Sequence, residues 1–205
     1  MDTAKISPQT LRRLPIYLHY LRSIRDRRET ISATALANVF GLGDVQVRKD
    51  LGAVSGSGRP KTGYVIEALI PQIEACLGCD RQIKTVLIGA GHLGQALLSY
   101  EGFGDYGFDI TAAFDADSRV VGNDLSGKPV LAVSELEAFC REQNIHLAIL
   151  TVPASAAQET ADRLISCGVK AIWNFAPVIL RVPDGVAVEN ENLASSLAVL
   201  SRHLR

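Results

Sequence analysis

Residues 84–94 have the sequence Lys-Thr-Val-Leu-Ile-Gly-Ala-Gly-His-Leu-Gly, an apolar run that ends in the spacing G-x-G-x-x-G. This spacing alone is weak evidence, but between a predicted strand and a predicted helix it is specific for a dinucleotide-binding turn. Gly89 permits the tight turn, Gly91 lets the backbone approach a pyrophosphate, and Gly94 lets the helix pack closely on the strand. His92 fits a phosphate contact and a plain surface position equally well. We predict that the turn binds a dinucleotide through Gly89, Ala90, Gly91, His92, Leu93 and Gly94.

A second part of the predicted cofactor site lies at the end of the next apolar run. Asp115 follows Gly94 by twenty-one residues, and Asp117 stands two residues further on. A carboxylate at this point accepts hydrogen bonds from the adenosine ribose and repels the 2′-phosphate of NADP. The sequence therefore predicts NADH and NAD+ as ligands, with Asp117 assisting Asp115. The alternative, an ordinary turn and a solvated aspartate, does not account for the glycines, the strand and the acid together.

From residue 83 onward, apolar strand patterns alternate with helical ones. The predicted strands cover residues 84–88, 110–114, 146–152, 171–175 and 186–188. Such alternation is typical of a Rossmann-like α/β fold with a doubly wound parallel sheet, whose ligands lie beyond the carboxyl ends of the strands. We therefore expect two further segments to border the nicotinamide half of the cofactor, namely Thr151, Val152 and Pro153, and Asn174, Phe175, Ala176 and Pro177.

Charge divides the chain into two unlike parts. The whole sequence has a net charge of −1, but residues 1–61 carry eleven lysines and arginines against five acids, a net of +6. The remaining residues carry ten against seventeen, a net of −7. A basic head of this kind attracts the phosphate backbone of nucleic acid. A solvated basic surface without a partner explains the charge alone equally well.

The basic head contains three helical patterns. Ser7 and Pro8 mark the start of the first, which is either unbroken or restarts at Pro15. Ser32 is predicted to cap the second helix and Asp44 the third, with a glycine turn at residues 41–43 between them. Two short helices joined in this way are typical of a helix-turn-helix, whose second helix enters the major groove of DNA.

The third helix and the hairpin after it carry the predicted DNA contacts. Val47, Leu51 and Val54 share one helix face and are predicted to be buried. Residues 55–64 form a glycine-rich hairpin typical of the wing of a winged helix, whose cations reach phosphates or the minor groove. A loop kept soluble by its charge is the alternative for the wing alone. The predicted contacts are Val45, Gln46, Arg48 and Lys49 on the helix, and Arg59 and Lys61 on the wing.

Another apolar helix pattern follows the wing and ends at Gly78, where we place the domain boundary. Cys76 and Cys79 lie at this junction, but one C-x-x-C without a second ligand pair is weak evidence for zinc. We interpret these thiols as incidental, with a thiol switch as the minor alternative. The sequence lacks a signal peptide and an apolar run long enough to span a membrane, which favours a cytoplasmic protein.

The last residues suggest a protein partner. Leu193, Leu197, Leu200 and Leu204 form a helical stripe that no later residue covers. The stripe either packs on its own body or docks on a second subunit, and a winged helix that binds a palindromic DNA site needs a homodimer. The residues show no catalytic constellation. A small NAD-dependent oxidoreductase with an N-terminal docking module remains the alternative function, and a nucleotide-binding protein scaffold is a third.

Several segments, taken in order along the whole chain, resemble the Rex family of redox-sensing transcriptional repressors. The matching residues are 13–17, 46–51 and 62–64 in the basic head, and the glycine turn, residues 114–117, 151–153 and 174–177 in the body.

The resemblance implies a homodimer with exchanged C-terminal helices that represses respiratory or fermentation genes and leaves double-stranded DNA when NADH binds. It also implies that Arg13 and Tyr17 belong to the DNA-binding surface and that Tyr100 senses the state of the nicotinamide. Asn192 departs from the family, which commonly has an aspartate there, unless Glu191 substitutes for it. The predicted parts are a winged helix at residues 1–78, a Rossmann domain at 79–190 and a dimerisation helix at 191–205.

Overall fold

The structure is a computed structural model that describes residues 6–56, 58, 59, 62–201 and 204. The chain forms two compact units, Met1–Arg81 and Gln82–Arg205. None of the helices in the described part of the chain has the length and apolar character needed to cross a membrane.

The N-terminal unit begins with a long helix, α1 (Pro8–Ile24), that runs through Pro15 without a break. Ser7 caps it by accepting a hydrogen bond from the backbone N–H of Thr10, and Leu14 on its inner face is fully buried. Proline at the first helical position fits because its missing N–H would have no partner inside the helix. The remaining elements are β1 (Thr30–Ile31), α2 (Ala33–Phe40), α3 (Asp44–Ser55), β2 (Tyr64–Val65) and α4 (Ile66–Leu77).

Helices α2 and α3 form the predicted helix-turn-helix. Ser32 caps α2, and Gly41 ends it in the left-handed conformation that glycine adopts without strain. The prediction that Asp44 caps α3 is wrong: Gly43 precedes the helix, and the Asp44 carboxylate instead accepts a hydrogen bond from Thr34. Strands β1 and β2 pair antiparallel at the base of the wing, and Arg59 bridges to Gly63 near its tip. The unit is therefore a winged helix.

The C-terminal unit is built on one sheet of seven strands in the order β5-β6-β4-β3-β7-β8-β9. Every neighbouring pair is parallel except β5 and β6, which form an antiparallel hairpin at one edge. The strands are β3 (Ile83–Ile88), β4 (Phe108–Asp115), β5 (Asp124–Leu125), β6 (Lys128–Ala132), β7 (Leu147–Leu150), β8 (Ala171–Asn174) and β9 (Ala187–Asn190).

Apolar residues cover both faces of this sheet, as a doubly wound fold requires. One face buries Ile88 and Phe114 in a cluster with Leu164, and the other buries Leu87 and Ile149. The helices of the unit are α5 (His92–Leu98), α6 (Leu136–Gln143), α7 (Ala154–Ser166) and α8 (Leu193–Ser201), with 3-10 helices at Glu101–Tyr106 and Val133–Glu135.

The sheet differs from the sequence prediction in two places. The hairpin of β5 and β6 was not expected, because a two-residue strand and the glycine turn beside it carry no clear alternating pattern. The strand predicted at 146–152 is shorter and covers Leu147–Leu150, and the Thr151 hydroxyl after it donates to the carbonyl oxygen of Gly89 at 2.7 Å.

Helix α8 follows β9 and keeps its apolar side chains in contact with solvent. Asn192 precedes the helix and accepts a hydrogen bond from the backbone N–H of Ser195 at 3.2 Å. Leu193, Leu197 and Leu200 are 63%, 69% and 60% exposed. A leucine stripe left this open within a single chain is a surface for another protein.

Candidate functional site

Two glycines of the turn after β3 are required by the protein itself. Gly89 has φ +100°, a conformation that other residues rarely adopt, and a side chain there would approach the Thr151 carbonyl oxygen to 2.8 Å. At Gly94, an added Cβ atom would overlap the carbonyl oxygen of Gly89. The first and last glycines of the motif therefore hold β3 and α5 together.

Gly91, the middle glycine, has a different role. Its backbone is extended, with φ −69° and ψ −170°, so any residue can adopt its conformation. A Cβ atom at this position would meet no protein atom within 4 Å. No contact inside the protein therefore requires glycine at this position. The missing side chain leaves open space at the start of α5, which a turn needs if its backbone is to contact a ligand.

Asp115 ties the ends of β3 and β4 together. One carboxylate oxygen accepts a hydrogen bond from the backbone N–H of Ala90 at 2.7 Å, and the other accepts one from that of Asp117 at 2.8 Å. Ala90, which is predicted to bind the dinucleotide as part of the turn, thus uses its N–H inside the protein and is buried. Each carboxylate oxygen has a second lone pair, which leaves Asp115 able to bind a ribose hydroxyl as well.

Asp117 forms an ion pair with Arg119, which is not among the predicted site residues. Its carboxylate lies 2.6 Å from a guanidinium nitrogen of Arg119. The hydrogen bonds from Arg119 lower the pKa of Asp117 to about 2. Asp117 is therefore ionised at neutral pH, and its charge is compensated by Arg119.

The glycine turn, Asp115 and the segment 151–153 line a cleft of about 570 Å³ at the carboxyl ends of β3, β4 and β7. The predicted residues that it brings together are Gly89, Gly91, Asp115, Thr151, Val152 and Pro153. Its far wall, formed by Glu159, Thr160 and Arg163 of α7, was missed by the sequence analysis. The position of α7 in the sequence could have indicated this wall, because a helix that starts directly after Pro153 must border the same edge of the sheet.

The segment 174–177 does not line this cleft. Asn174 is fully buried, and its amide NH2 group donates to the carbonyl oxygen of Val178 in the following turn and to the side chain of Asn190 on β9, both at 2.9 Å. The prediction that Asn174 touches the cofactor is therefore contradicted by its burial, and Ala176, at 4% exposure, offers almost no surface either. Phe175 and Pro177 keep exposed surface on this turn.

Tyr100 also lies outside the dinucleotide cleft. It follows α5, is 61% exposed and borders a second cavity with Phe108 and Lys128. Its ring contacts Phe103, with centroids 5.0 Å apart, and Phe103 contacts Trp173 at 5.9 Å. Trp173 makes an edge contact with Phe175, with ring centroids 4.5 Å apart, and donates its indole N–H to Glu191 at 2.9 Å.

The predicted DNA contacts on α3 share one exposed face. Val45 is 62% exposed, and Gln46, Arg48 and Lys49 are exposed beside it. Arg48 pairs with Asp44 one turn earlier at 3.0 Å, a contact that orients the arginine at little cost because both groups are solvated. Arg59 of the wing is exposed, and Lys61 lies outside the described residues.

Arg13 and Tyr17 of α1 both bind the buried carboxylate of Asp50 on α3. Arg13 donates to its two oxygens at 2.7 and 2.8 Å, and the Tyr17 hydroxyl donates at 3.0 Å. Tyr17 has no exposed surface, which contradicts the expectation that it contacts DNA directly. Burial alone would raise the pKa of Asp50, but hydrogen bonds from Arg13, Thr10 and Tyr17 together lower it.

The C-x-x-C thiols are half-buried and unpaired in the structure. Burial raises the pKa of both Cys76 and Cys79. Because the thiolate is the reactive form, a raised pKa lowers the nucleophilic reactivity of both residues at neutral pH.

Comparison with known proteins separates the same two regions. A family profile described as "CoA binding domain" matches residues 80–178, and one described as "Putative DNA-binding protein N-terminus" matches residues 5–52. The redox-sensing transcriptional repressor Rex of Treponema denticola is 45% identical over 192 residues, which cover 93% of this chain and 91% of that protein. The chain belongs to the Rex family. Rex of Clostridioides difficile is 44% identical and covers 98% of the chain and 96% of its own length.

Solved Rex structures have the same fold. RSP, a Rex-family repressor, in complex with β-NAD+ and operator DNA matches with a TM-score of 0.91 at 38% identity, covering 97% of this chain and 92% of its own. RSP in complex with β-NADH matches with a TM-score of 0.88 over 98% and 94% of the two chains. These matches confirm the resemblance drawn from the motifs and the predicted α/β fold with an N-terminal DNA-binding part.

Proposed function

We propose that this Rex-family protein is a cytoplasmic transcriptional repressor that binds a palindromic operator when NADH is scarce and leaves the DNA when NADH binds. The observation that carries the proposal is similarity along the whole chain to proteins named as redox-sensing repressors. One such repressor has been solved with β-NAD+ and operator DNA and also with β-NADH. The proposal has no catalytic step, and the oxidoreductase alternative is not favoured by these relatives.

The cofactor part of the proposal is supported by the geometry of the cleft. Gly91 leaves space where a pyrophosphate would approach the backbone, and Asp115 keeps free lone pairs for a ribose hydroxyl. Asp115 also places negative charge where NADP carries its additional phosphate, which favours NAD(H), and we propose that Asp117, paired with Arg119, assists it. We propose Thr151, Val152 and Pro153 as further contacts, with Phe175 and Pro177 nearer the nicotinamide.

The DNA part is supported by the exposed face of α3 and by the charge of the N-terminal residues. Gln46, Arg48 and Lys49 are exposed side by side, and a winged helix inserts this helix into the major groove. Arg59 and Lys61 of the wing complete the proposed contacts with phosphates or the minor groove. Reading two halves of a palindrome requires a dimer, and the exposed leucines of α8 are the proposed surface for exchange with a second copy.

Differential binding gives a physical basis for such a switch. The reduced nicotinamide ring is uncharged and the oxidised ring is cationic, so an apolar pocket prefers NADH over NAD+. A ligand that binds one state of a protein more tightly must weaken a second ligand that prefers the other state. We propose that NADH binds more tightly to the state with low operator affinity, so that NADH releases the DNA and NAD+ has a weaker effect.

A titration on DNA tests the function. The full chain is bound to a labelled palindromic operator, and NADH is added in steps, followed by NAD+ in a parallel series. We expect NADH to release the DNA at lower concentration than NAD+. Binding that no concentration of NADH alters would contradict the repressor proposal, and turnover of nicotinamide absorbance with a small alcohol or aldehyde would favour the oxidoreductase.

A further inference from the structure

Asp50 links α3 to α1 in the N-terminal unit. Its side chain lies on the buried side of α3 with 2% exposure. It accepts four hydrogen bonds, one from Thr10 at 2.8 Å, two from Arg13 at 2.7 and 2.8 Å and one from Tyr17 at 3.0 Å. All three donors lie on α1, so a single carboxylate fixes α3 against α1.

Arg13 is held rigidly by this arrangement. Its Nε and Nη2 atoms form the bidentate contact with the two Asp50 oxygens, the strongest arrangement for this pair of groups. The guanidinium is planar, so fixing these two nitrogens also fixes the third, Nη1. Arg13 is only 19% exposed, which makes it a poor direct contact for DNA.

The free edge of Arg13 faces Gln46. With the Gln46 amide oriented so that its oxygen faces the arginine, this oxygen accepts hydrogen bonds from Nη1 at 2.9 Å and from Nη2 at 3.2 Å. Gln46 precedes Asp50 by one helical turn and is exposed on the proposed DNA-binding face. The amide oxygen is therefore engaged inside the protein, and the amide NH2 group, with two donors, is available for a ligand.

We propose that Asp50 is a positioning residue for DNA recognition, which acts through Arg13 to present the Gln46 amide as a donor to base edges in the major groove. The inference rests on the proposed operator binding and specifies which chemistry the helix selects. Guanine presents two acceptors in the major groove, thymine presents one, adenine presents one acceptor beside a donor, and cytosine presents only a donor. The Gln46 position therefore prefers guanine or thymine to adenine, whose donor it leaves without an acceptor, and rejects cytosine. A free glutamine, by contrast, pairs with adenine through both its oxygen and its nitrogen.

The test is selection of preferred duplexes from a random-sequence DNA library with the full-length protein. The wild type is expected to select a palindrome, and Gln46→Ala is expected to lose the preference at one base pair in each half-site, by roughly tenfold or more. Gln46→Glu, which has acceptors only, is expected to favour cytosine at that same position. Both changes lie at an exposed residue and leave the fold intact.

Two further variants test the role of Asp50 itself. Tyr17→Phe removes one hydrogen bond to the carboxylate and keeps the ring, and Asp50→Asn removes the charge that holds Arg13. Both are expected to weaken the preference at the Gln46 position more than at other positions of the site. Asp26→Asn, which removes an exposed acid of the same unit, is the matched control and is expected to leave the profile unchanged.

The outcomes are distinct. A purely structural role for Asp50 lowers affinity for every sequence equally, and that result in Tyr17→Phe would overturn the proposal even where Asp50→Asn fails to fold. Selection of adenine or cytosine at the Gln46 position by the wild type would overturn it as well. A wild-type protein that selects no sequence at all would contradict operator binding and the positioning role together.

Discussion

The two units of the protein organise their candidate sites around aspartates that work in opposite ways. Asp50 in the N-terminal unit is buried and accepts hydrogen bonds from side chains of α1. Asp115 in the C-terminal unit is half-buried and accepts them from backbone N–H groups. Side-chain donors depend on residue identity, whereas backbone donors are present whatever the residue. The DNA-binding face therefore depends on particular side chains, and the cofactor turn depends on the path of the backbone.

The largest effect is expected from Asp50→Ala. The change leaves the Arg13 guanidinium poorly solvated and without its counter-charge, which costs about 3–5 kcal/mol in the free energy of unfolding of the N-terminal unit. Hydrogen exchange measured by mass spectrometry on the full chain locates the loss. Asp26→Ala is the control, since Asp26 is 89% exposed and its pair with Arg25 is loose. Equal losses of unfolding free energy in the two variants would show that the buried Asp50 cluster stabilises the unit no more than an exposed ion pair does.

Gly94→Ala is the corresponding change in the C-terminal unit. Its methyl group would overlap the Gly89 carbonyl oxygen, so the turn must move, at about 2–3 kcal/mol in the free energy of unfolding. NADH binding, measured by calorimetry, is expected to be lost with it. Gly91→Ala separates the two effects, because its methyl group meets no protein atom. This control is expected to keep the stability and still lose NADH. Retained binding in Gly91→Ala would contradict the proposed approach of the ligand to this residue.

Asp115→Asn is expected to have a smaller effect on stability. The amide keeps one acceptor oxygen but turns an NH2 group toward a backbone N–H, which costs about 1–2 kcal/mol for the bond that is lost. The change also removes one negative charge near the proposed ribose site, so the preference for NADH over NADPH is expected to narrow. Calorimetric titration with both nucleotides measures the ratio, and an unchanged ratio would assign the discrimination elsewhere.

The smallest effect is a pH dependence that both units share. Partners lower the pKa of Asp50, and Arg163 lowers the pKa of Glu137 to about 2. A carboxylate with a lowered folded-state pKa contributes stability above its unfolded pKa, and this contribution is lost as the pH falls through the folded value. Stability is therefore expected to fall below about pH 4, where unfolded carboxylates begin to bind protons.

Circular dichroism during acid titration measures this loss. Asp50→Asn is expected to remove the part that belongs to the N-terminal unit, and Glu137→Gln the part that belongs to the C-terminal unit. An acid transition that neither variant changes would assign the pH dependence to other groups.

The sequence predicted the elements of both units better than the contacts between them. The glycine spacing placed the turn correctly because Gly89 and Gly94 each meet a local geometric constraint of the turn, while Gly91 leaves space for a ligand. The Asp50 cluster could not be predicted, since its partners lie 33 to 40 residues away and helical periodicity gives no information about pairs at that distance. Asn174 was misassigned for a related reason. A polar residue at a strand end suggests a ligand contact, and only the fold shows that its amide is used to hold the next turn.

Trp173 is the only tryptophan of the chain, and it lies between the aromatic rings of Phe103 and Phe175 with its indole bonded to Glu191. The tryptophan fluorescence of the protein therefore comes from one indole, whose hydrogen-bond acceptor lies two residues before α8. Emission from this indole reports on the segment between the sheet and the leucine helix, and it overlaps the absorption of a reduced nicotinamide. The molecule therefore carries an unlabelled optical probe beside the segment that leads into α8.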